Sequence, residues 1–186
     1  MPEPSKRQRT RQQILNAAWQ LFREQGYQDT STRQIARAAG VADGTVFSHF
    51  ATKLELLQEG MRIQIDQVLA DAEQQDRSHS AAGRLLHFAD YLYRFYLAHR
   101  EFSRELLKEI VWQQDYFSPQ LLAFRQRLEA ADDHPAPARA EVMLDLYFMT
   151  LIQGLNHPRL EAGDLLATLA GKMEILGNGV PRQTGQ

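Results

Sequence analysis

The sequence predicts an all-α fold, and three observations carry the prediction. Apolar residues recur at i, i+3, i+4 and i+7 along most of the chain, the spacing of one helix face. No stretch alternates apolar and polar residues as a half-buried strand does, and no internal repeat or low-complexity tract stands out. Residues 31–53, STRQIARAAGVADGTVFSHFATK, hold two short helical patterns joined at Ala39-Gly40-Val41. Two helices set steeply across a Gly-bearing turn of three or four residues form a helix-turn-helix, whose second helix enters the DNA major groove.

Residues 1–5 carry two prolines and no periodicity, and read as a disordered arm. Lys6-Arg7-Gln8-Arg9-Thr10-Arg11 is a basic run leading into the first helix, placed over 9–25. Ile14, Leu15, Ala18, Leu21 and Phe22 form its stripe, Gly26 suits its C-terminal end, and Tyr27 is expected to fold back onto it. Ser31 is an N-cap, with Gln34 completing a capping box. The first short helix spans 31–38 with Ile35, Ala36 and Ala39 inward; the second spans 43–50 with Val46 and Phe50 inward. These three helices share a core of Ile14, Leu21, Phe22, Ile35, Ala39, Val46 and Phe50, small for independent stability.

A long helix over 53–75 follows, striped by Leu54, Leu57, Met61, Ile65, Val68 and Leu69. The polar stretch 76–80 breaks it. Helices are then expected over 81–99, 101–116 and from Ser118, with Ser118 as cap and Pro119 at the first helical position. Residues 130–139, AADDHPAPAR, read as a loop. The helix over 140–156 is apolar on nearly every side, which requires burial all round and so a partner chain against one face. A last helix covers 163–177, and the tail from Gly177 is expected to be disordered.

The 186 residues suffice for one or two domains, and the net charge of −2 hides an asymmetry. Residues 1–55 hold eight Lys/Arg and five Asp/Glu, a net of +3; out of totals of 21 and 23 this leaves 13 and 18, a net of −5. A basic head on an acidic body suits a polyanion partner. There is no cysteine, which excludes disulfides and thiolate metal sites. His79, His87, His99, His134 and His157 lack the i, i+4 spacing of a two-histidine helical site, so no metal or other cofactor is expected. No nucleophile elbow, phosphate loop or paired-carboxylate motif supports an enzyme. No apolar run reaches membrane-spanning length and no secretory signal is visible, so the expected place is the cytoplasm.

Residues 8–57 closely resemble the TetR family of bacterial transcriptional regulators. The matching residues are Ile14-Leu15, Ala17-Ala18, Leu21-Phe22, Gly26, Ser31, Ile35-Ala36, Ala39-Gly40-Val41, Gly44-Thr45, Phe47, His49-Phe50, Lys53 and Leu56-Leu57. The resemblance implies a DNA-binding head over 1–53 and a helical effector-binding and dimerisation body over 54–186. It implies a homodimer joined through the helices at 140–156 and 163–177, binding a double-stranded operator. It places Ala42, Asp43, Gly44, Thr45, Phe47 and Ser48 on the recognition helix at the DNA, with Gly44 allowing close backbone approach. His49 would sit beside the DNA backbone and Lys53 on a phosphate. Arg33 and Arg37, on the outer face of the preceding helix, are phosphate candidates. For Phe47 a core position, for His49 a packing role and for Arg37 a merely solvated charge stay open.

Three departures from the family pattern stand out. Ala42 replaces the usual capping serine, a loss of about 0.5–2 kcal/mol. Asp43 favours the helix N-terminus through its dipole and repels phosphate, but a carboxylate can accept from cytosine N4. Phe47 replaces the usual tyrosine, losing a phosphate hydrogen bond and keeping apolar contact with a thymine methyl.

In the body, Met61, Ile65, His87, Phe88, Tyr91, Leu92, Phe95, Phe102, Leu106, Ile110, Trp112, Phe117, Phe124 and Tyr147 could line an apolar cavity with His87 and Tyr147 as polar handles; plain core packing is the alternative. The expected function is a homodimeric repressor released from a pseudo-palindromic operator by a small, largely apolar effector. The alternative is a helix-turn-helix dimer that binds DNA without small-molecule control.

Overall fold

The computed structural model describes residues 5–110, 118–131 and 137–177. Among the described residues there are nine helices and no strand. They are α1 (Lys6–Gln25), α2 (Thr32–Ala38), α3 (Asp43–His49), α4 (Lys53–Gln75), α5 (Ala81–Ala98), α6 (Arg100–Ile110), α7 (Ser118–Ala130), α8 (Pro137–Asn156) and α9 (Ala162–Gly177).

Local chemistry sets most of the ends. Ser31 caps α2 by accepting from the Gln34 amide N–H, and the Gln34 side chain accepts from the Ser31 N–H. Gly26 stops α1 with a φ of 88°, and Gly40 turns the α2–α3 corner with a φ of 67°, values that L side chains rarely adopt. Thr52 caps α4 through the Glu55 N–H. Asp76 ends the α4 region: its carboxylate accepts from the Ser78 N–H and pairs with Arg84 at 2.8 Å.

Several expected boundaries move. α1 begins at Lys6 rather than Arg9, because Ser5 belongs to no arm: it forms a capping box with Gln8. α8 begins at Pro137 rather than Ala140, since proline is well suited to the first helical turn. α6 begins at Arg100; the expected continuation of that helix over 111–116 lies outside the described residues, as do residues 1–4, residues 132–136 of the expected 130–139 loop and the tail beyond Gly177.

The head core is as the periodicity implies: Ile14, Phe22, Ile35, Val46 and Phe50 are buried, with Leu21 and Ala39 partly so. It leans on α4 through Leu56, Leu57 and Met61. Trp19 lies against Gly60, where an added Cβ would come within 2.8 Å of the indole, so α1 and α4 touch nearly backbone to ring. In the body α5 is central, flanked by α4, α6, α7, α8 and α9. Its Tyr93 is fully buried, stacks on Tyr147 at 5.1 Å and donates to the Tyr147 carbonyl; burial pushes both hydroxyls well above the usual tyrosine range. Arg100 and Arg104 donate to the carbonyls of Gly154, Leu155 and Leu160, closing the C-terminal end of α8 with cations as the helix dipole favours.

α8 and α9 keep part of their apolar surface outside. Val142 is 41%, Met149 54% and Ile175 78% exposed, with Leu146, Phe148 and Ile152 partly so. No described helix is long and apolar enough to cross a membrane.

Candidate nucleic-acid interface

α3 presents an uneven set of side chains. Val46 points into the head core, while Phe47 is 54% exposed, so the open choice between core and groove falls to the exposed side. Ala42, Asp43, Gly44 and Ser48 are exposed, and Thr45 and His49 partly so. A Cβ added at Gly44 would meet nothing within 4 Å; its missing side chain leaves space outside the protein rather than room for a neighbour. Ala42 makes no side-chain cap, and α3 begins without the bond that Ser31 supplies to α2. Ser48 donates its hydroxyl to the Thr45 carbonyl at 2.8 Å.

The charged side chains around α3 divide into three kinds. Arg37 is exposed and has no hydrogen bond or ion pair to any described residue. Arg33 and Asp43 are paired, Arg33 Nε to Asp43 Oδ2 at 3.1 Å, on the outer surface between α2 and α3. Lys53 and Arg11 are used inside the head. The Lys53 ammonium donates to the carbonyls of Tyr27, Gln28 and Thr30 at 2.8, 3.3 and 3.0 Å and lies 4.3 Å from the Tyr27 ring centroid. An ammonium has three N–H donors, and all three are spent. In the absence of DNA this side chain ties α4 to the α1–α2 turn, and a phosphate contact would need one of these donors to be released.

Arg11, read in the sequence only as part of a basic run, has a comparable post. Its Nη1 donates to the His49 carbonyl at 3.0 Å, its guanidinium lies 4.0 Å over the Phe50 ring, and Nη2 is 3.7 Å from Glu59. It joins α1, the end of α3 and α4. No sequence pattern marks it, because its partners lie 38, 39 and 48 positions away.

The effector residues expected in the body are mostly packed into one another. Met61, Ile65, Phe88, Leu92, Phe95, Leu106, Phe124 and Tyr147 are buried. Phe88 meets Phe124 at 5.2 Å, and His87 lies against Phe88 and Tyr91 while a ring nitrogen bonds the Ala72 carbonyl at 2.8 Å. The His87 handle is thus already occupied. Phe102 belongs instead to the head–body junction, among Trp19, Phe22 and His99. Of the rest, the Ile110 side chain, Trp112 and Phe117 lie outside the described residues. Clefts occur elsewhere: one of about 430 Å³ between α1 and α6, lined by Phe22, Arg23, His99 and Glu101 among others, and one of about 700 Å³ between α6 and the end of α8. Among the described residues no three His, Asp or Glu side chains are grouped as metal ligands would be.

Residues 14–59 match the family model described as "Bacterial regulatory proteins, tetR family". The transcriptional regulator SrpR of Pseudomonas putida is 53% identical over 49 residues, 26% of this chain and 23% of that protein. The regulator UidR of Escherichia coli is 29% identical over 118 residues, 62% of this chain and 57% of that protein. The chain thus spans under two thirds of the length of either relative in these matches. Both relatives are helix-turn-helix transcriptional regulators. The solved structure of FadR from Thermus thermophilus, a TetR-family repressor in complex with lauroyl-CoA, superimposes with a TM-score of 0.64 over 95% of this chain and 98% of that one, at 22% identity. At that identity the likeness shows a shared fold.

Proposed function

From the match of residues 14–59 to the TetR-family model we propose that this chain is a TetR-family protein that regulates transcription as a homodimer on a pseudo-palindromic operator, dividing near residue 53 into a DNA-binding head and a controlling body. The observation that carries the reading is the surface of α3: Asp43, Gly44, Phe47 and Ser48 face solvent while Val46 and Phe50 hold the helix down. Groove-reading side chains must stand outward on a helix fixed from behind. Thr45 and His49 flank them, Ala42 opens the helix, and Arg37 supplies an uncommitted cation for phosphate.

The apolar stripe on α8 and α9 supports a second copy as the partner that would bring two heads to one operator. Repression follows from occupancy of the operator. Release by a small, largely apolar effector is supported by the fold shared with a repressor that holds lauroyl-CoA. α4 would transmit it, since Gly60 and Met61 sit under the head while Ile65 and Ala72 belong to the body. A ligand acts this way only if it binds the two states unequally. A second reading, DNA binding without small-molecule control, is favoured by the close packing of Phe88, Phe124, Tyr93 and Tyr147 where a ligand was expected.

Selection of bound duplexes from random DNA by the full chain tests the first half. Two related half-sites about one helical turn apart or a multiple of it, roughly 34–36 Å, are expected, with affinity falling steeply as salt rises. Failure to enrich any sequence would refute it. A compound that binds the protein by calorimetry and leaves operator affinity unchanged would count against release.

A further inference from the structure

The Arg33–Asp43 pair is poorly explained by stability. Their side chains are 80% and 56% exposed, and exposed ion pairs contribute little to folding. Asp43 alone is also a liability at this position, a negative charge on the first residue of a helix meant to approach phosphates. The pair resolves both difficulties if it is a reading device. We infer that Asp43 is a positioning residue that aims Arg33 at a guanine in the major groove, so that Arg33 determines specificity rather than clamping a phosphate. The inference rests on the DNA-binding reading above and assigns one base contact within it.

The geometry supports this in three ways. Asp43 takes Arg33 through Nε alone, at 3.1 Å. A guanidinium has five N–H donors in a fixed fork, so the four on Nη1 and Nη2 are left without a described partner. That outer edge matches the paired O6 and N7 acceptors of guanine. The contact also sets direction. Arg33 sits at the second position of α2, from which an unrestrained side chain could swing toward the flanking phosphates. Bound to Asp43, the guanidinium is held at the N-terminal end of α3, the end of a recognition helix that meets base edges. Finally, the pair is neutral as a unit, so the carboxylate's repulsion is cancelled where the backbone must come close at Gly44. The earlier idea that Asp43 accepts from cytosine N4 is replaced: one oxygen is engaged by Arg33, and the group facing outward is the arginine.

Selection from random duplexes, run in parallel on the full-length wild type and on Arg33→Ala, Asp43→Ala and Asp43→Asn, separates the possibilities. The wild type is expected to enrich paired half-sites with an invariant guanine at one position in each. Arg33→Ala should lose preference at that position and bind the selected site about tenfold or more weaker. Asp43→Ala should relax the same position with a smaller loss of affinity, because a charge that repels phosphate is removed as well. Asp43→Asn keeps an acceptor for Nε and should keep the guanine. Both side chains are exposed, so unchanged melting temperatures are expected throughout. If the wild type enriches half-sites but Arg33→Ala leaves every base preference intact, the inference fails while DNA binding stands. Loss of a cytosine preference in Asp43→Ala alone would restore direct reading by the carboxylate. Absence of any enrichment by the wild type would bring down the DNA-binding reading and this one together.

Discussion

The head and the body hold themselves together differently, and their surfaces differ in consequence. The head has a small core and supplements it with polar ties: capping boxes at Ser5 and Ser31, Lys53 on three carbonyls, Arg11 on the His49 carbonyl. Spending its hydrogen bonds inward lets it show a mostly polar outside with one large apolar residue, Phe47. The body fills its centre with rings and aliphatic chains, and still has Val142, Met149 and Ile175 left over on two adjacent helices. A single exposed aromatic in polar surroundings fits a partner that is itself polar with isolated apolar points, such as thymine methyls. A contiguous apolar stripe fits another protein surface.

The comparison is tested most severely at Met149. Met149→Glu places a charge in the middle of the α8–α9 stripe without touching the core. The expected result is a folded monomer by sedimentation at micromolar concentration, melting below the wild-type dimer and independently of protein concentration, because the stabilisation that the partner supplies by mass action is lost. Operator affinity should drop roughly a hundredfold or more, since the second half-site contact is no longer intramolecular. A variant that stays dimeric would show that the stripe is not where two copies meet, and the contrast between the two surfaces would lose its meaning.

How much of this was legible beforehand depends on the range of the interaction. Helix ends at Gly26, Ser31, Lys53 and Gln75 follow from neighbours three or four residues away, and the sequence shows them. Ser5–Gln8 carries the same signature as Ser31–Gln34 and was hidden only by the prolines before it. Pro137 looked like loop because proline is a breaker everywhere except the first turn. The long-range ties were illegible: Lys53 reaches back 23 to 26 positions and Arg33 reaches Asp43 across the turn, and neither distance has a periodic signature. In the body, periodicity showed which side chains point inward. It carries no information on whether the interior is filled, and Phe88 against Phe124 answers that only in three dimensions.

Lys53→Met sharpens the comparison from the head's side. The methionine retains much of the stem that packs beside Tyr27 and removes the three donors. Charge-assisted hydrogen bonds in partly buried surroundings are worth about 1.5–3 kcal/mol, and water can replace some of them here, so a loss of about 1–3 kcal/mol is expected in denaturant unfolding. The salt dependence of operator binding should keep its slope. A phosphate contact behaves oppositely: removing one lowers the slope by about 1 and leaves stability alone. That opposite result would return Lys53 to the DNA surface and leave the head with one tie fewer.

The smallest effect is expected at Phe47. About half its surface is open, so truncation to alanine should hardly change folding stability, whereas a core phenylalanine costs 3–5 kcal/mol or so when removed. On DNA, the ring can bury only its outer edge against a methyl group. At ~25 cal/mol per Å² of apolar area, a loss near 1 kcal/mol is reasonable, about fivefold in affinity. The loss should be confined to sites carrying thymine at the contacted position and should vanish when uracil replaces it, because uracil lacks only the methyl. If Phe47→Ala weakens binding equally to thymine and uracil sites, the ring serves shape rather than contact. If it unfolds the head, the exposed aromatic is part of the core after all, and the difference between the two surfaces narrows to one of degree.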